Sequence, residues 1–249
     1  ILNISIIYMS TTKTVHTIQK IDILSKEYTK SYISNASELF DIPYISNILP
    51  KKIAELLPNN YIAVDIGSCD GLYSENIIKY VSENNGHFEN VDLYPIKSTV
   101  IESDAVEFMK KTNKNFDLII CKHAVHLFTP LEQFFNLCYD KLSSNGRLFI
   151  ITLTNETIIP WSIDINKHFM NTFINIESFL KQWNVIIHKG NVNKTCDVAT
   201  LCNIIKNHSL SFLYKNSDEE LNSCINNLQS LPNKTVDVEL YYNIYELSR

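Results

Sequence analysis

VDIGSCDG (64–71) decides the fold. It follows the apolar run YIAVDI (61–66) and opens GLYSENIIKYVSEN (71–84), where Ile77, Ile78 and Val81 recur at helical spacing. The chain has only 5 glycines in 249 residues, and Gly67 and Gly71 both fall in this turn. Glycine lets the backbone take positive φ and approach a ligand closely. A strand, a Gly-containing turn and a helix N-terminus, in that order, make a nucleotide-type site at the carboxyl end of a sheet. The spacing is not the GxGxxG of a dinucleotide site, and no Gly-Lys-Ser/Thr of a P-loop is present. Asp65, two residues before the first glycine, would repel a pyrophosphate. It suits a cationic ligand.

Outward from this turn, short apolar runs alternate with helical stretches. FENVDLYP (88–95) and STVIES (98–103) read as strands. FDLIIC (116–121) is a continuous apolar run, as expected of a parallel strand buried on both faces. LEQFFNLCYDKL (131–142) carries Leu131, Phe134, Phe135 and Cys138 on one helical face, and Asn145-Gly146 is expected to end that helix in a left-handed residue. RLFIITL (147–153) is another buried strand. The alternation implies a doubly wound parallel sheet. VDVELYYNIYEL (236–247) places Val236, Val238, Leu240, Tyr242 and Ile244 on one face, as an antiparallel strand at or near a sheet edge does. Residues 160–230 are expected to be mostly helical or irregular and to form a cap.

Two further carboxylates stand at strand ends. Asp92 is placed to accept from both ribose hydroxyls of a nucleoside. Asp104 is placed to accept from an adenine amino group, to cap the helix that starts at Ala105, or to do both. S-adenosylmethionine fits this set: it is an adenosine with a sulfonium and an ammonium group and no phosphate.

The stretch Tyr61 to Leu153 resembles the core of the class I S-adenosylmethionine-dependent methyltransferases. VDIGSCDG is similar to the family's acidic-x-Gly-x-Gly-x-Gly motif, VDLYP to its ribose motif and SDA (103–105) to its adenine motif. FDLIICKHAVHLF (116–128) and KLSSNGRLFIITL (141–153) resemble the fourth motif and the strand after it. Within the class, KHAVHLFTPLEQFFNLCYDKLSSNGRLFI looks like the trans-aconitate-methyltransferase-like small-molecule branch. The resemblance runs loosely from Ser25 to the C-terminus. It implies an α/β, Rossmann-like, seven-stranded and mostly parallel sheet with an antiparallel C-terminal strand and helices on both faces. One methyltransferase domain would span 25–249, with lid helices at 25–58, a cap at about 160–230 and an N-terminal extension at 1–24. It implies that Tyr28, Asp65, Gly67, Ser68, Cys69, Gly71, Asp92, Leu93, Asp104, Ala105, Cys121 and Lys122 bind S-adenosyl-L-methionine. His126 would be catalytic. Tyr32 would join Tyr28 in the lid, and Trp161, Trp183, Phe212 and Tyr214 are candidates for an acceptor pocket.

Two features depart from the family. Cys69 replaces the middle glycine, where positive φ would cost a side chain something. Only a few residues separate VDLYP from the next strand, whereas a parallel crossover usually needs a dozen or more. That shortening is similar to FtsJ-like RNA methyltransferases and keeps an RNA substrate open. Together the two departures also leave open a catalytically silent, partner-binding subunit.

The residues just after the fourth strand narrow the acceptor chemistry. Cys121-Lys122 stands where FtsJ-like enzymes and metal-dependent catechol enzymes need an Asp. No Pro-Pro-aromatic run marks an amino-methylating DNA enzyme, and no Pro-Cys pair marks a cytosine-C5 enzyme. The remaining chemistry is metal-independent transfer to a small molecule, on the oxygen of a carboxylate or hydroxyl, with His126 as base or positioning group. His123, three residues earlier, lacks an evident third partner for a metal. The formal charge of −5 and the lack of a basic run argue against a nucleic-acid substrate. The 6 cysteines form no CxxC pair and read as reduced thiols of a cytoplasmic protein, a monomer or homodimer. No apolar run is long enough to span a membrane. Met9 is read as the natural start.

Overall fold

The computed structural model describes residues 25–81 and 86–249; the expected start at Met9 and the extension 1–24 lie outside them. The N-terminal segment runs through α1 (Lys26–Ser31), two wide helical turns (Tyr32–Ala36 and Tyr44–Ile48) and α2 (Leu49–Glu55). The core follows: β1 (Ile62–Ile66), α3 (Leu72–Ile78), β2 (His87–Asp92), β3 (Ile101–Glu102), α4 (Ala105–Lys111), β4 (Phe116–Lys122), α5 (Leu131–Lys141) and β5 (Leu142–Leu153). Then come α6 (Ile163–Met170), β6 (Asn184–Asp197), α7 (Val198–Lys206), α8 (Asp218–Gln229) and β7 (Thr235–Ser248).

The seven strands form one sheet in the order β3-β2-β1-β4-β5-β7-β6. The first five are mutually parallel, and β7 runs antiparallel to both β5 and β6. The continuous apolar run of β4 has a simple cause. Leu118 and Ile120 enter one core layer while Ile119 and Cys121 enter the other, and all four are buried. Tyr73 and Ile77 of α3, with the buried faces of α6, α7 and α8, cover the first layer. Val106 and Met109 of α4, with Phe134, Phe135 and Cys138 of α5, cover the second. The fold class expected from the sequence is therefore the one observed.

One local expectation, at Gly146, is corrected. Residues 160–230 are mostly helical or irregular, and within them β6 contributes a 14-residue edge strand to the sheet. β7 lies one place in from that edge, near it as the sequence indicated. Gly146 does not end α5 in a left-handed turn; it lies inside β5, opposite a register shift between Phe116 and Leu118. A Cβ there would sit 2.7 Å from the Phe116 carbonyl oxygen, so the glycine serves close backbone approach. Residues 93–100, between β2 and β3, contain no helix, as the sequence spacing required. Among the described residues no helix is long and apolar enough to cross a membrane.

Candidate functional site

The carboxyl ends of β1, β2, β3 and β4 open on one cavity of about 540 Å³. Its floor is the turn after β1. Gly67, Cys69 and Gly71 all have positive φ, at 73°, 60° and 75°. The Gly67 and Ser68 N–H groups donate to the Val91 carbonyl, at 2.8 and 3.0 Å, which hooks the turn onto β2. A Cβ at Gly67 would come 2.3 Å from the Ala124 Cβ. Gly67→Ala is therefore expected to destabilise the fold by about 2–4 kcal/mol, from backbone strain plus overpacking. Urea unfolding checks this; an unchanged midpoint would rule it out. Cys69 carries the strain that the sequence foresaw, of order 1–3 kcal/mol. Its N–H donates to Asp92 Oδ2 at 2.9 Å, which offsets part of it.

Asp65, at the end of β1, is 1% exposed, and its Oδ1 has no hydrogen-bond partner. Burial pushes its carboxyl up to about 7; Asp92 and Asp70 add to the shift, and Lys122 opposes it. Tyr73 lies beside it, buried, with its hydroxyl also unpartnered. The Lys122 Nζ sits 5.0 Å from the Tyr73 ring centroid, and burial lowers its pKa. Two orphaned polar groups on one cavity wall point to a ligand with polar groups of its own.

Asp92 and Asp104 hold the adjacent wall with Leu93 and Ala105. Asp92 does more than face the cavity: Oδ2 accepts from Cys69 and Oδ1 accepts from the Tyr94 N–H at 2.9 Å. It ties two loops together, which the sequence did not reveal. Asp104 caps α4, its Oδ1 accepting from Val106 and Glu107, so the capping role expected for it is present.

The β4 exit and the segments around residues 169–173 and 210–212 supply further lining residues. His123 has φ of 56° and donates its N–H to the Ile151 carbonyl at 2.8 Å. That kink starts the short 3₁₀ turn Val125–Leu127, which carries His126. Burial pulls His126 down to about 4, with a smaller push from Lys215. Burial likewise lowers His123 to about 3. Both imidazoles are therefore neutral at pH 7. Phe169 packs its ring 5.0 Å from Phe173 and 5.1 Å from Phe212, centroid to centroid. All three line the cavity.

The N-terminal segment crosses the opening. Tyr28 and Tyr32 line the cavity, and burial raises both phenols, Tyr28 to about 12. The Ser31 hydroxyl bonds to the Asn207 carbonyl (2.9 Å) and the Ser209 hydroxyl (2.8 Å), while Lys26 pairs with Glu102 at 3.1 Å. The segment thus joins the end of β3 to the cap.

The cavity gathers Tyr28, Asp65, Gly67, Ser68, Cys69, Asp92, Leu93, Asp104, Ala105, Lys122 and His126 of the predicted set. It does not gather Gly71 or Cys121. Gly71 is the left-handed residue before α3, and Cys121 is buried in β4 within the second core layer. Of the four aromatic candidates only Phe212 reaches it. Trp161 packs on Phe212, Trp183 on Tyr139, and Tyr214 on His208. Tyr73, Glu38, Asp41, Phe169 and Phe173 line the cavity without any motif to announce them. Among the described residues, no group of His, Cys, Asp and Glu is arranged to hold a metal ion.

Among solved structures, a candidate methyltransferase from Bacillus halodurans superposes with a TM-score of 0.52 at 12% identity, covering 80% of this chain and 96% of that one. The YcgJ protein from Bacillus subtilis gives 0.51 at 17% identity, over 81% of this chain and 97% of its own. A methyltransferase dependent on S-adenosylmethionine, from Aquifex aeolicus, gives 0.48 at 12% identity, over 87% and 98%. No protein-family model matches the sequence, and no curated protein matches it. The first two likenesses establish the architecture: this chain has a Rossmann-like methyltransferase fold.

Proposed function

We propose that the protein transfers a methyl group from S-adenosylmethionine to the oxygen of a small-molecule carboxylate or hydroxyl, without a metal. One observation carries the cofactor. Asp65, Asp92 and Asp104 stand at or just past the ends of three neighbouring strands around one cavity, and Asp65 keeps a buried, unpartnered oxygen. A phosphate-bearing cofactor would be repelled by all three carboxylates there. A cationic adenosine meets an acceptor at each of its polar ends. When bound, this cofactor supplies an electrophilic methyl on sulfur. The Gly67 turn allows close backbone approach, Asp92 and Asp104 take the ribose and adenine, and Asp65 takes the positively charged end. His126 orients the acceptor oxygen and receives a proton where the acceptor has one to lose. Within the class, the sequence motifs favour the trans-aconitate-methyltransferase-like branch.

Calorimetry with S-adenosylmethionine tests this reading, and no heat of binding at millimolar ligand would remove it. Asp92→Ala sharpens the test. It is expected to weaken cofactor binding by about 2–3 kcal/mol, the scale of hydrogen bonds to a charged group. It should also lower the melting temperature of the unliganded protein, because the Cys69 and Tyr94 amides lose their acceptor. Equal losses of melting temperature with and without cofactor would make Asp92 purely structural.

The helix-free β2–β3 connection favours one second reading, an RNA acceptor. Phosphate recognition needs clustered Lys and Arg, yet six carboxylates and one ammonium line the cavity. RNA affinity that falls steeply with salt would revive that reading.

A further inference from the structure

The cavity lining holds an aromatic cluster that neither the two histidines nor the motifs account for. Its three rings come from the stretch between β5 and α8. Phe169 sits on α6, Phe173 just beyond it, and Phe212 on the 3₁₀ turn Ser211–Lys215. Two ring contacts of about 5 Å hold these three as one cluster, and Leu127 and Leu153 continue the same lining. Glu38 and Asp41 of the N-terminal segment add carboxylates to the cavity. Lys122 is the only ammonium in the described lining, and it already faces Asp65 and Asp41.

We infer that the acceptor is a neutral hydroxyarene of one or two rings, bound with its ring against Phe169, Phe173 and Phe212 and its hydroxyl toward His126. This deepens the methyltransferase reading and rests on it. Ring-on-ring packing supplies area burial plus about 0.5–1.5 kcal/mol for an aromatic pair. An anionic acceptor would meet Glu38 and Asp41 in a lining whose one ammonium, Lys122, already faces carboxylates, and the low local dielectric amplifies that repulsion. A neutral hydroxyl avoids the penalty and still offers a nucleophilic oxygen. In the transfer step the acceptor oxygen forms a bond to the methyl carbon, and the carbon–sulfur bond breaks with its electron pair left on sulfur. The hydroxyl proton passes to the neutral imidazole of His126 and then to water. The carboxylate alternative that the sequence left open is the one these walls disfavour.

The test compares 2-naphthol with 2-naphthoate, which share a ring body and differ in charge. Their binding is measured by calorimetry at pH 7 on the full chain, with and without S-adenosylhomocysteine, beside a methyl-transfer assay on both. We expect 2-naphthol to bind at least about tenfold more tightly than 2-naphthoate and to be the one methylated. Phe173→Leu, at a half-buried position, should weaken 2-naphthol binding about fivefold or more while S-adenosylhomocysteine affinity stays constant. Because Phe173 also supports the cap, the melting temperature is recorded. The double variant Glu38→Gln, Asp41→Asn gives a readout that does not depend on packing: the preference for 2-naphthol should narrow about fivefold. Equal or tighter binding of 2-naphthoate overturns the inference, as does cofactor binding with transfer to 2-naphthoate alone or to neither compound. Failure of the cofactor to bind overturns the methyltransferase reading instead, and the two ligand affinities still report on the walls.

Discussion

Asp65→Ala is expected to reduce S-adenosylmethionine affinity by at least about 100-fold, on the scale of breaking a buried charge pair. The reason is the state of the carboxyl. It is 1% exposed, one oxygen is unpartnered, and burial holds it near pH 7 instead of at its ordinary 3.8. A cation bound beside it favours the ionised form, so binding releases a proton. Wild-type affinity should therefore rise about tenfold per pH unit up to about 7 and then level off. Asp65→Asn should bind weakly at every pH and lose that slope. The unliganded protein gives an opposite sign. The folded state holds this proton more tightly than the unfolded chain, so the contribution of Asp65 to stability falls as pH rises from about 4 to about 7. At pH 8 the Asn variant should therefore melt higher than the wild type without cofactor, and lower with it. Near-wild-type affinity in the Ala variant, or pH-independent binding in the wild type, would show that Asp65 is not the cation's partner.

The strands were legible where burial forces a pattern. β4 is buried on both faces and reads as an unbroken apolar run, and β7 alternates because its two faces meet different neighbours. β6 was not legible. It is an edge strand with Lys189, Gly190, Asn191, Asn193 and Lys194, mostly exposed, so no apolar period marks it. Such residues suit an edge, where charge discourages further pairing. The turn after β1 was legible for a related reason: it is local, and two of the few glycines fall in it. The rest of the cavity was legible only at His126 and Phe212, since Glu38, Asp41, Phe169 and Phe173 come from distant segments that only tertiary packing brings together. Asp92 shows the limit within a recognised motif. Its position was readable, but its grip on the Cys69 and Tyr94 amides was not, because both bonds depend on how the loops fold back. The same holds for His126, whose neutrality comes from burial rather than from its neighbours in sequence.

His126 gives the last and most demanding prediction. With a hydroxyl acceptor a proton must leave, and His126→Ala should lower kcat by about 10²–10⁴-fold. The lower end is expected, since an imidazole held near 4 is a weak base at neutral pH. The same burial relocates the pH limb. An ordinary histidine would give one near 6.5, whereas here kcat at saturating cofactor should stay flat from pH 8 down to about 5 and fall only towards 4. Any limb near 7 belongs to Asp65 and should vanish as cofactor saturates, because the bound cation lowers that carboxyl's pKa. His126→Asn separates the two roles: an amide can hydrogen-bond the hydroxyl but cannot carry its proton away. If proton removal matters, Asn should be nearly as slow as Ala. If Asn keeps much of the rate, His126 only positions the oxygen. Loss of stability with full turnover per folded molecule, in both variants, would leave it a packing residue beside Phe128. Cofactor affinity should be unchanged throughout. A large loss of S-adenosylmethionine binding in His126→Ala would mean that the acceptor end lies elsewhere in the cavity.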